Sequence, residues 1–536
     1  MNISGLMGNL NPQPSNQQIP LDYKLDQLEV SSTITASMAG KDINVQDIGN
    51  VTDNYMMSEE AQKNMNLISG TAGNDTITSS LNQEDGSITI NVNGQETTYS
   101  KEQALNGFKV ELGDGNDSID LSAIYNSTLI NAGEGDNNIA LGHGRNLVTT
   151  GDGNNTIKAE QAHRNSITTG NGNNKINVTG NTNAVTTGAG NDSVIVAGNN
   201  SKVNTGAGTD IINARSEENN IEAGAGNDVI TASGKKNDIY GGEGNDYIKV
   251  NDGDNYIEGG KGNDHITAGN GDNVIYGLDG KDTIKVGNGD NYIDGGKGDD
   301  NITVGTGKNI ISGGLGDDTI NAKDSSGKIF DDKNGGTINA SENMKVNRYD
   351  SSETANLGNS VKIEGSDDFK ERIESDLETF RATESGKKLL SEFDKSGHTV
   401  TIGKTDDQNG YEGPAKKEDY DKQFVTPDGK RGEGADAKIQ FNPSFRNKEK
   451  GFVPANVLFH EGVHAYNTTT GTMQPGMTKQ ENNFDTRSSE RQAVGLSIDN
   501  GIEVTHPDGT KSANNPEGLT ENAIRAELGI DKREIY

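Results

Sequence analysis

Residues 241–258 read GGEGNDYIKVNDGDNYIE, and residues 259–276, GGKGNDHITAGNGDNVIY, repeat that design 18 residues later. The same comb extends in both directions. Gly188, Gly206, Gly224, Gly242, Gly260, Gly296 and Gly314 fall on it, with Leu278 in the one missing place. Asp192, Asp210, Asp228, Asp246, Asp264, Asp282, Asp300 and Asp318 follow the same spacing without a slip. Half a period away runs a column of Asn219, Asn237, Asn255, Asn273, Asn291 and Asn309. Two residues after each Asp comes an apolar side chain, from Val194 and Ile212 to Ile302 and Ile320. Ile257, Ile275, Ile293 and Ile311 do the same after the Asn column. One apolar residue in nine cannot make an amphipathic helix, which needs spacings of three and four. It can make a short strand with one inward side chain, followed by a glycine turn. Two strands and two turns complete one coil of a parallel β-solenoid, with coils stacked ~4.8 Å apart. Residues 113–322 then form roughly 11–12 coils and a rod about 55 Å long.

The Asp column lies on one edge of that rod. Like charges stacked one coil apart repel unless a cation stands between them, and calcium favours a cage of several oxygens. The opposite edge reads as a neutral Asn ladder. A rod closed by Asp and Asn hydrogen bonds without metal is the competing reading of the same columns. The units GGEGND (241–246), GGKGND (259–264) and GGKGDD (295–300) resemble the nonapeptide repeats of the RTX family. Upstream of Gly188 the pattern departs from that family, because the equivalent turns end in Asn137, Asn155 and Asn174. The resemblance implies calcium held between turns by Asp192, Asp210, Asp228, Asp246, Asp264, Asp282, Asp300 and Asp318 together with backbone carbonyls.

The rest of the composition narrows the function. The chain has 536 residues and a formal charge of −33, which disfavours nucleic-acid or anionic-membrane partners and suits cation binding. It contains 71 Gly and no Cys, so there is no disulfide framework and any metal must use imidazole and carboxylate. No stretch is long and apolar enough to span a membrane. The start, MNISGLMGNLNPQPSNQQIP, lacks the basic head and apolar core of a cleaved signal peptide. Its uncharged Ser/Asn/Gln character resembles type III export signals, which would imply a secreted protein; a disordered polar tail is the competing reading of the same composition. The expected organisation is a flexible lead over 1–66, a β-hairpin cap over 67–112, the rod over 113–322, a cap and linker over 323–348, and an α+β domain over 349–536.

In that last segment Phe369, Ile373, Leu377 and Phe380 mark a helix face. Leu389, Leu390 and Phe393 predict a second helix ended by Gly397, and His398–Ile402 and Ala437–Phe441 read as strands. Residues 403–436 read as a long loop. Pro454 suits the first turn of a helix reaching about Tyr466. On that helix lies His460-Glu461-Gly-Val-His464, with two of the seven histidines in the chain. A spacing of four puts both imidazoles on one face, so both can reach one zinc ion, with Glu461 as the base that handles the proton of a water. The third ligand must come later, from Glu481 or Glu490. Glu490 is preferred because residues 488–498 predict a packed helix, with Ser488 or Ser489 near its cap. Asp485 and Asp499 are candidate partners for the histidines, and Arg487 could steady Glu490 or polarise a substrate carbonyl, against the preferred reading of an ordinary surface arginine. The histidines at 143, 163, 265, 398 and 506 stand alone and read as surface or packing.

Four stretches then resemble the NleD-type zinc metallopeptidases among type III effectors: IQFNP (439–443), LFHEGVHAY (458–466), ERQAVGL (490–496) and TENAIRAELG (520–529). The resemblance implies a zincin-like fold, zinc on His460, His464 and Glu490, catalysis by Glu461, and a protein substrate inside a host cell. The repeat array departs from that family, whose members are usually short single domains. The competing function is a calcium-binding surface or adhesion protein with an incidental HExxH domain.

Overall fold

A computed structural model of the chain describes residues 37–38, 41–42, 62–333, 335–405, 411–444, 453–479, 485–498 and 501–534. Nearly all of the 1–66 lead, with the expected export signal, lies outside the described residues. From Asn66 to Tyr349 the strands join one sheet system wound as a parallel β-solenoid of about 13 turns. Its register is the sequence period. Ile230 stacks on Ile248, Ile266, Ile284, Ile302 and Ile320 in turn. On the facing wall Ile221, Ile239, Ile257, Ile275, Ile293 and Ile311 stack likewise. All are buried, and together they form the thin core. The glycine comb is required by coil spacing: Gly242 has φ 110°, and a Cβ there would lie 1.9 Å from the Gly224 carbonyl oxygen.

Parallel pairing reaches beyond residues 113–322 at both ends. Asn66–Ser69 pairs with Phe108–Glu111, and Thr76–Leu81 with Ser118–Asp120. Between them stands the expected hairpin, Ile88–Val92 with Gln95–Tyr99, turning at Asn93-Gly94. This insert breaks the 18-residue spacing, so the first coil does not advertise itself. At the other end Ser326–Asp332, Thr337–Ala340 and Met344–Tyr349 continue the walls. Residues 323–348 are therefore built as coils whose glycine comb has lapsed.

The C-terminal region packs helices on a small sheet. Val361–Glu364 (β1), Val400–Lys404 (β2), Tyr411–Pro414 (β3) and Ala437–Phe441 (β4) lie in the order β1-β2-β4-β3, with only β3 antiparallel. Helix α1 spans Asp367–Arg381 and α2 spans Glu384–Ser396, the latter ended by Gly397 at φ 77°. Helix α3 runs from Pro454 to Thr470, one turn beyond the expected end, and stops at Gly471, φ 68°. Helices α4 (Ser488–Val494) and α5 (Glu521–Leu528) follow. Two expectations need correction. Segment 403–436 is not all loop, since it contains β3 and a 3-10 helix, Lys417–Gln423. β3 has no apolar alternation and exists because the edge of β4 offers it backbone partners. Helix α4 also ends sooner than 498, at Gly495 with φ 88°, and its N-cap is Arg487, without a side-chain cap bond.

The two regions meet on one rod wall. Tyr240, Glu258, Tyr276 and Asp294 form one outward column, and Tyr256, Val274, Tyr292 and Ile310 form another. Helix α1 lies over them. The fully buried Arg372 stacks on Tyr276, 3.3 Å from the ring centre, and pairs with Asp376 at 2.9 Å and Glu258 at 3.4 Å. Its Nε donates to the Tyr256 hydroxyl (3.0 Å), while the Tyr276 hydroxyl donates to Asp376 (3.1 Å). Leu278 belongs to the same buried cluster. Its φ of 79° costs about 1–2 kcal/mol relative to glycine, and its side chain packs where a glycine would leave a gap. Removing Arg372 strands buried carboxylates. Arg372→Ala should destabilise the docked region by about 3–5 kcal/mol. In calorimetry the C-terminal transition should fall while the rod transition holds. Lys370→Ala, on the exposed face of α1, should change neither.

Candidate functional site

Helix α3 is buried over its whole length, which requires neighbours on every side. They include α1, α2, α4, α5, β3, β4 and the 3-10 helix Lys417–Gln423. Pro454 opens α3, and the Asn456 side chain accepts the Val453 N–H at 2.8 Å. Gly462, between the two motif histidines, admits α2: a Cβ there would meet Leu389 at 2.9 Å. The spacing of four then presents His460 and His464 together, with their Nε2 atoms 3.1 Å apart.

Glu490 arrives from α4. Its Oε2 lies 3.4 Å from His460 Nε2 and 3.2 Å from His464 Nε2. The helix that carries it is pinned by Gln492, which accepts the Gln474 N–H (3.0 Å) and donates to Thr472 O (3.0 Å) and Asn515 (3.1 Å). Among the described residues this trio is the one group of three or more ligating side chains with donor atoms within 4.8 Å of one another. The residues fit zinc. Two donors at 2.0–2.1 Å on a tetrahedral ion stand about 3.3 Å apart, and the three observed separations bracket that value. Glu481 lies outside the described residues.

A third helix completes the cluster. Glu521, fully buried in the first turn of α5, holds His460 Nδ1 at 2.9 Å. Arg525 and Arg533 each reach Glu521 at 3.0 Å. Burial works to raise the Glu521 pKa, but His460 and the arginines hold it at about 2. Burial likewise opposes charge on His460, and the Glu490 and Glu521 hydrogen bonds overcome it, holding the pKa at about 10. Burial also disfavours charge on Glu490, yet both histidines hold its carboxyl well below the usual range. Glu461 is buried beside the histidines, and desolvation raises its pKa despite their opposing charge. Glu412, on β3, is pushed by burial to about 8, with the charges of Glu461 and Glu490 adding to the rise.

Sequence reading missed Glu521 and Glu412. The Glu521/Arg525 spacing of four was visible, but nothing local says that it faces His460. Asp499 and the Asp485 side chain lie outside the described residues, and the observed partner of His460 Nδ1 is Glu521. Arg487 is exposed at the start of α4. Of the solitary histidines, His143 stacks on Tyr125 and His265 on Tyr247, while His506 is buried near the Ser512 carbonyl.

The second candidate centre is the Asp edge. Each Asp from 192 to 318 is no more than 2% exposed. Asp192 N–H donates to Asp210 Oδ1 at 2.7 Å, and the relay continues to Asp300 N–H on Asp318 Oδ1 at 2.9 Å. The other oxygen, Oδ2, is buried without a hydrogen-bond partner in all eight. A column of orphaned carboxylate oxygens fits a chain of calcium ions. The opposite edge is the expected Asn ladder: Asn237, Asn255, Asn273 and Asn291 each donate Nδ2 to the next Oδ1, at 2.6–3.0 Å.

Two family models match the chain. Residues 358–536 match Peptidase_M91, described as an effector protein. The RTX calcium-binding nonapeptide repeat matches residues 65–80, 127–157, 162–194, 204–234, 214–248, 249–284 and 286–320. No curated protein and no solved structure matches. The C-terminal region thus falls in a peptidase effector family and the rod in a calcium-binding repeat family. No helix among the described residues is long and apolar enough to cross a membrane.

Burial raises the Asp-edge pKa values to about 6 at Asp210 and Asp228, about 7 at Asp246, Asp264 and Asp282, and about 9 at Asp300. A carboxyl whose folded pKa is raised gives stability that is complete below its unfolded value, near 3.8, and lost as pH climbs through the folded value. In chelator the rod melting temperature should therefore fall steadily from pH 4 to pH 9. Calcium should flatten that fall. A rod equally stable at both pH values in chelator would contradict the assignment.

Proposed function

We propose that the chain is a secreted zinc-dependent endopeptidase, an effector that cleaves proteins of a host cell, with a calcium-loaded rod as its platform. The observation that carries this reading is the convergence of His460, His464 and Glu490 at tetrahedral spacing, with Glu461 beside them. His460, His464 and Glu490 would hold the metal. When bound there, zinc supplies Lewis acidity toward a peptide carbonyl and acidifies water. Glu461 is the proton carrier. Desolvation makes its carboxylate a better base than an exposed one, so it can accept the proton of the attacking water and return it to the leaving amine. Glu521 fixes the tautomer of His460: with the proton on Nδ1, donated to Glu521, Nε2 keeps its lone pair for the metal. Arg525 and Arg533 keep Glu521 ionised for that task. Glu412, neutral at pH 7, keeps one more negative charge off a site already crowded with carboxylates.

Export by a type III route and action inside a host belong to the same proposal, supported by the effector family of residues 358–536. Delivery can be followed by comparing new protein N-termini in target cells that receive wild type or Glu461→Gln.

The purified full chain should bind one zinc at the His460 site. Glu461→Gln should keep the metal and lose peptide cleavage by about 100- to 10,000-fold, since only the proton carrier is gone. Glu490→Ala should lose zinc affinity and cleavage together, whereas Glu481→Ala should leave both near wild type. Glu521→Ala should weaken zinc binding by about 10- to 100-fold without emptying the site at saturating metal. Metal analysis and competition titration read the zinc in all four variants, and a peptide-cleavage assay reads the activity. An intact chain that takes up no zinc would end the enzyme reading.

A further inference from the structure

The Asp edge is not chemically uniform. Followed from its start it runs Asp75, Asp117, Asn137, Asn155, Asn174, and then Asp192 to Asp318. In every step one N–H donates to the next member's Oδ1. The distances are 2.8 Å for Asp75 to Asp117, 3.0 Å for Asp117 to Asn137, 3.2 Å for Asn137 to Asn155, 3.1 Å for Asn155 to Asn174 and 2.7 Å for Asn174 to Asp192. Because Oδ1 has the same task in every coil, the other terminal atom of each side chain points into the same turn.

What that second atom meets differs. Asn155 Nδ2 donates to Gly151 O (3.4 Å), Gly153 O (3.1 Å) and Asn174 Oδ1 (3.0 Å). Asn174 Nδ2 does the same with Gly170 O (3.3 Å), Gly172 O (2.9 Å) and Asp192 Oδ1 (3.0 Å). Asn137 Nδ2 donates to Gly135 O (3.1 Å) and Asn155 Oδ1 (3.0 Å). In the coils from Asp192 onward Oδ2 stands in that place, buried and without a donor. Carbonyl and carboxylate oxygens turned on one another demand a cation or a hydrogen-bond donor between them; calcium can supply the first, and an amide NH₂ already is the second.

The N-terminal end is closed in a similar way. Asp75 receives the Thr71 N–H (2.7 Å) and the Asn93 amide of the hairpin (2.6 Å). In this section only Asp117 among the described column members keeps an orphan Oδ2.

We infer that Asn137, Asn155 and Asn174 replace the cation covalently, so that the coils from 128 to 187 stand without calcium while those from 193 to 322 require it. The repeat-family match spans both sections, so the family alone would extend calcium binding over all of them. The division also has a place in the molecule. Tyr256, Tyr276 and Tyr292, on which α1 rests, lie between Asp246 and Asp300 in sequence, inside the calcium-requiring section. The Asn section is then a permanent template on which the Asp coils add when calcium arrives, and the tyrosine seat of α1 belongs to the part that calcium controls, while Phe330 and Tyr349 of the last coils complete the docking cluster. This inference rests on the calcium reading of the Asp edge and is independent of the zinc chemistry.

Hydrogen exchange on the full chain, with calcium or with chelator, tests it. Peptides from 128–187 should exchange alike in both, and peptides from 193–322 should lose protection by at least ~100-fold in chelator. Asn137→Asp/Asn155→Asp/Asn174→Asp should make 128–187 calcium-dependent as well. Asp228→Asn/Asp246→Asn/Asp264→Asn should do the reverse, keeping its coils protected in chelator and lowering the number of bound calcium ions. That second variant reads a gain of protection, which a folding defect cannot produce. Opening of 128–187 in chelator together with the Asp coils, or no gain in the Asp→Asn variant, would overturn the division. If no coil responds to calcium at all, the calcium reading itself fails, and the inference with it.

Discussion

In a parallel solenoid each residue sits on its own counterpart, ~4.8 Å above and below. Most of this molecule follows from that register. Isoleucine on isoleucine excludes water and builds the core. Asparagine on asparagine is self-complementary, because the same side chain offers a donor upward and an acceptor downward. Aspartate on aspartate has acceptors only. One of its oxygens can take the neighbouring backbone N–H, as Oδ1 does along the Asp edge, and the other is left in a dry turn. The rod is therefore stable along its Ile columns and its Asn edge, and conditional along its Asp edge.

The same register makes a flat wall suited to docking. Outward residues repeat in columns, so a few substitutions in successive coils create a patch. Here they are Tyr240, Tyr256, Tyr276 and Tyr292 with Glu258 and Asp294, and α1 covers them. A buried ion pair is weak evidence for stability, but it is strict about geometry. Arg372 accepts one position, over the Tyr276 ring and between Glu258 and Asp376. The opposite side of α1 continues into the C-terminal region, where Phe380 packs edge-on against Phe459, one residue before His460. Rod and candidate metal site are thus separated by a single helix.

The candidate metal site itself is a meeting of three helices. The histidines come from the middle of α3, Glu490 from the first turn of α4 and Glu521 from the first turn of α5. Carboxylates at helix N-termini are favoured by the local dipole, which suits anionic groups that must remain ionised beside a metal. Burial disfavours charge on His460 and on Glu490, and the hydrogen bonds between them overcome it in both. A cation bound there would be stabilised by the same carboxylates.

The sequence alone determined the rod, because an 18-residue period leaves one geometry that buries every Ile and turns on every Gly. It also determined the pairing of His460 with His464, since a helix brings positions four apart to one face. Those relations are local or strictly periodic, so they survive in one dimension. The end coils were less legible, because the hairpin insert and the lapsed glycine comb removed the period without removing the strands. Glu490 could be favoured over Glu481 only by an argument about helix packing. Glu521, Glu412 in β3 and the seat of Arg372 on Tyr276 were decided by tertiary structure. Each joins residues dozens of positions apart through burial, and neither spacing nor composition carries the information that two distant helix ends will close on the same imidazole.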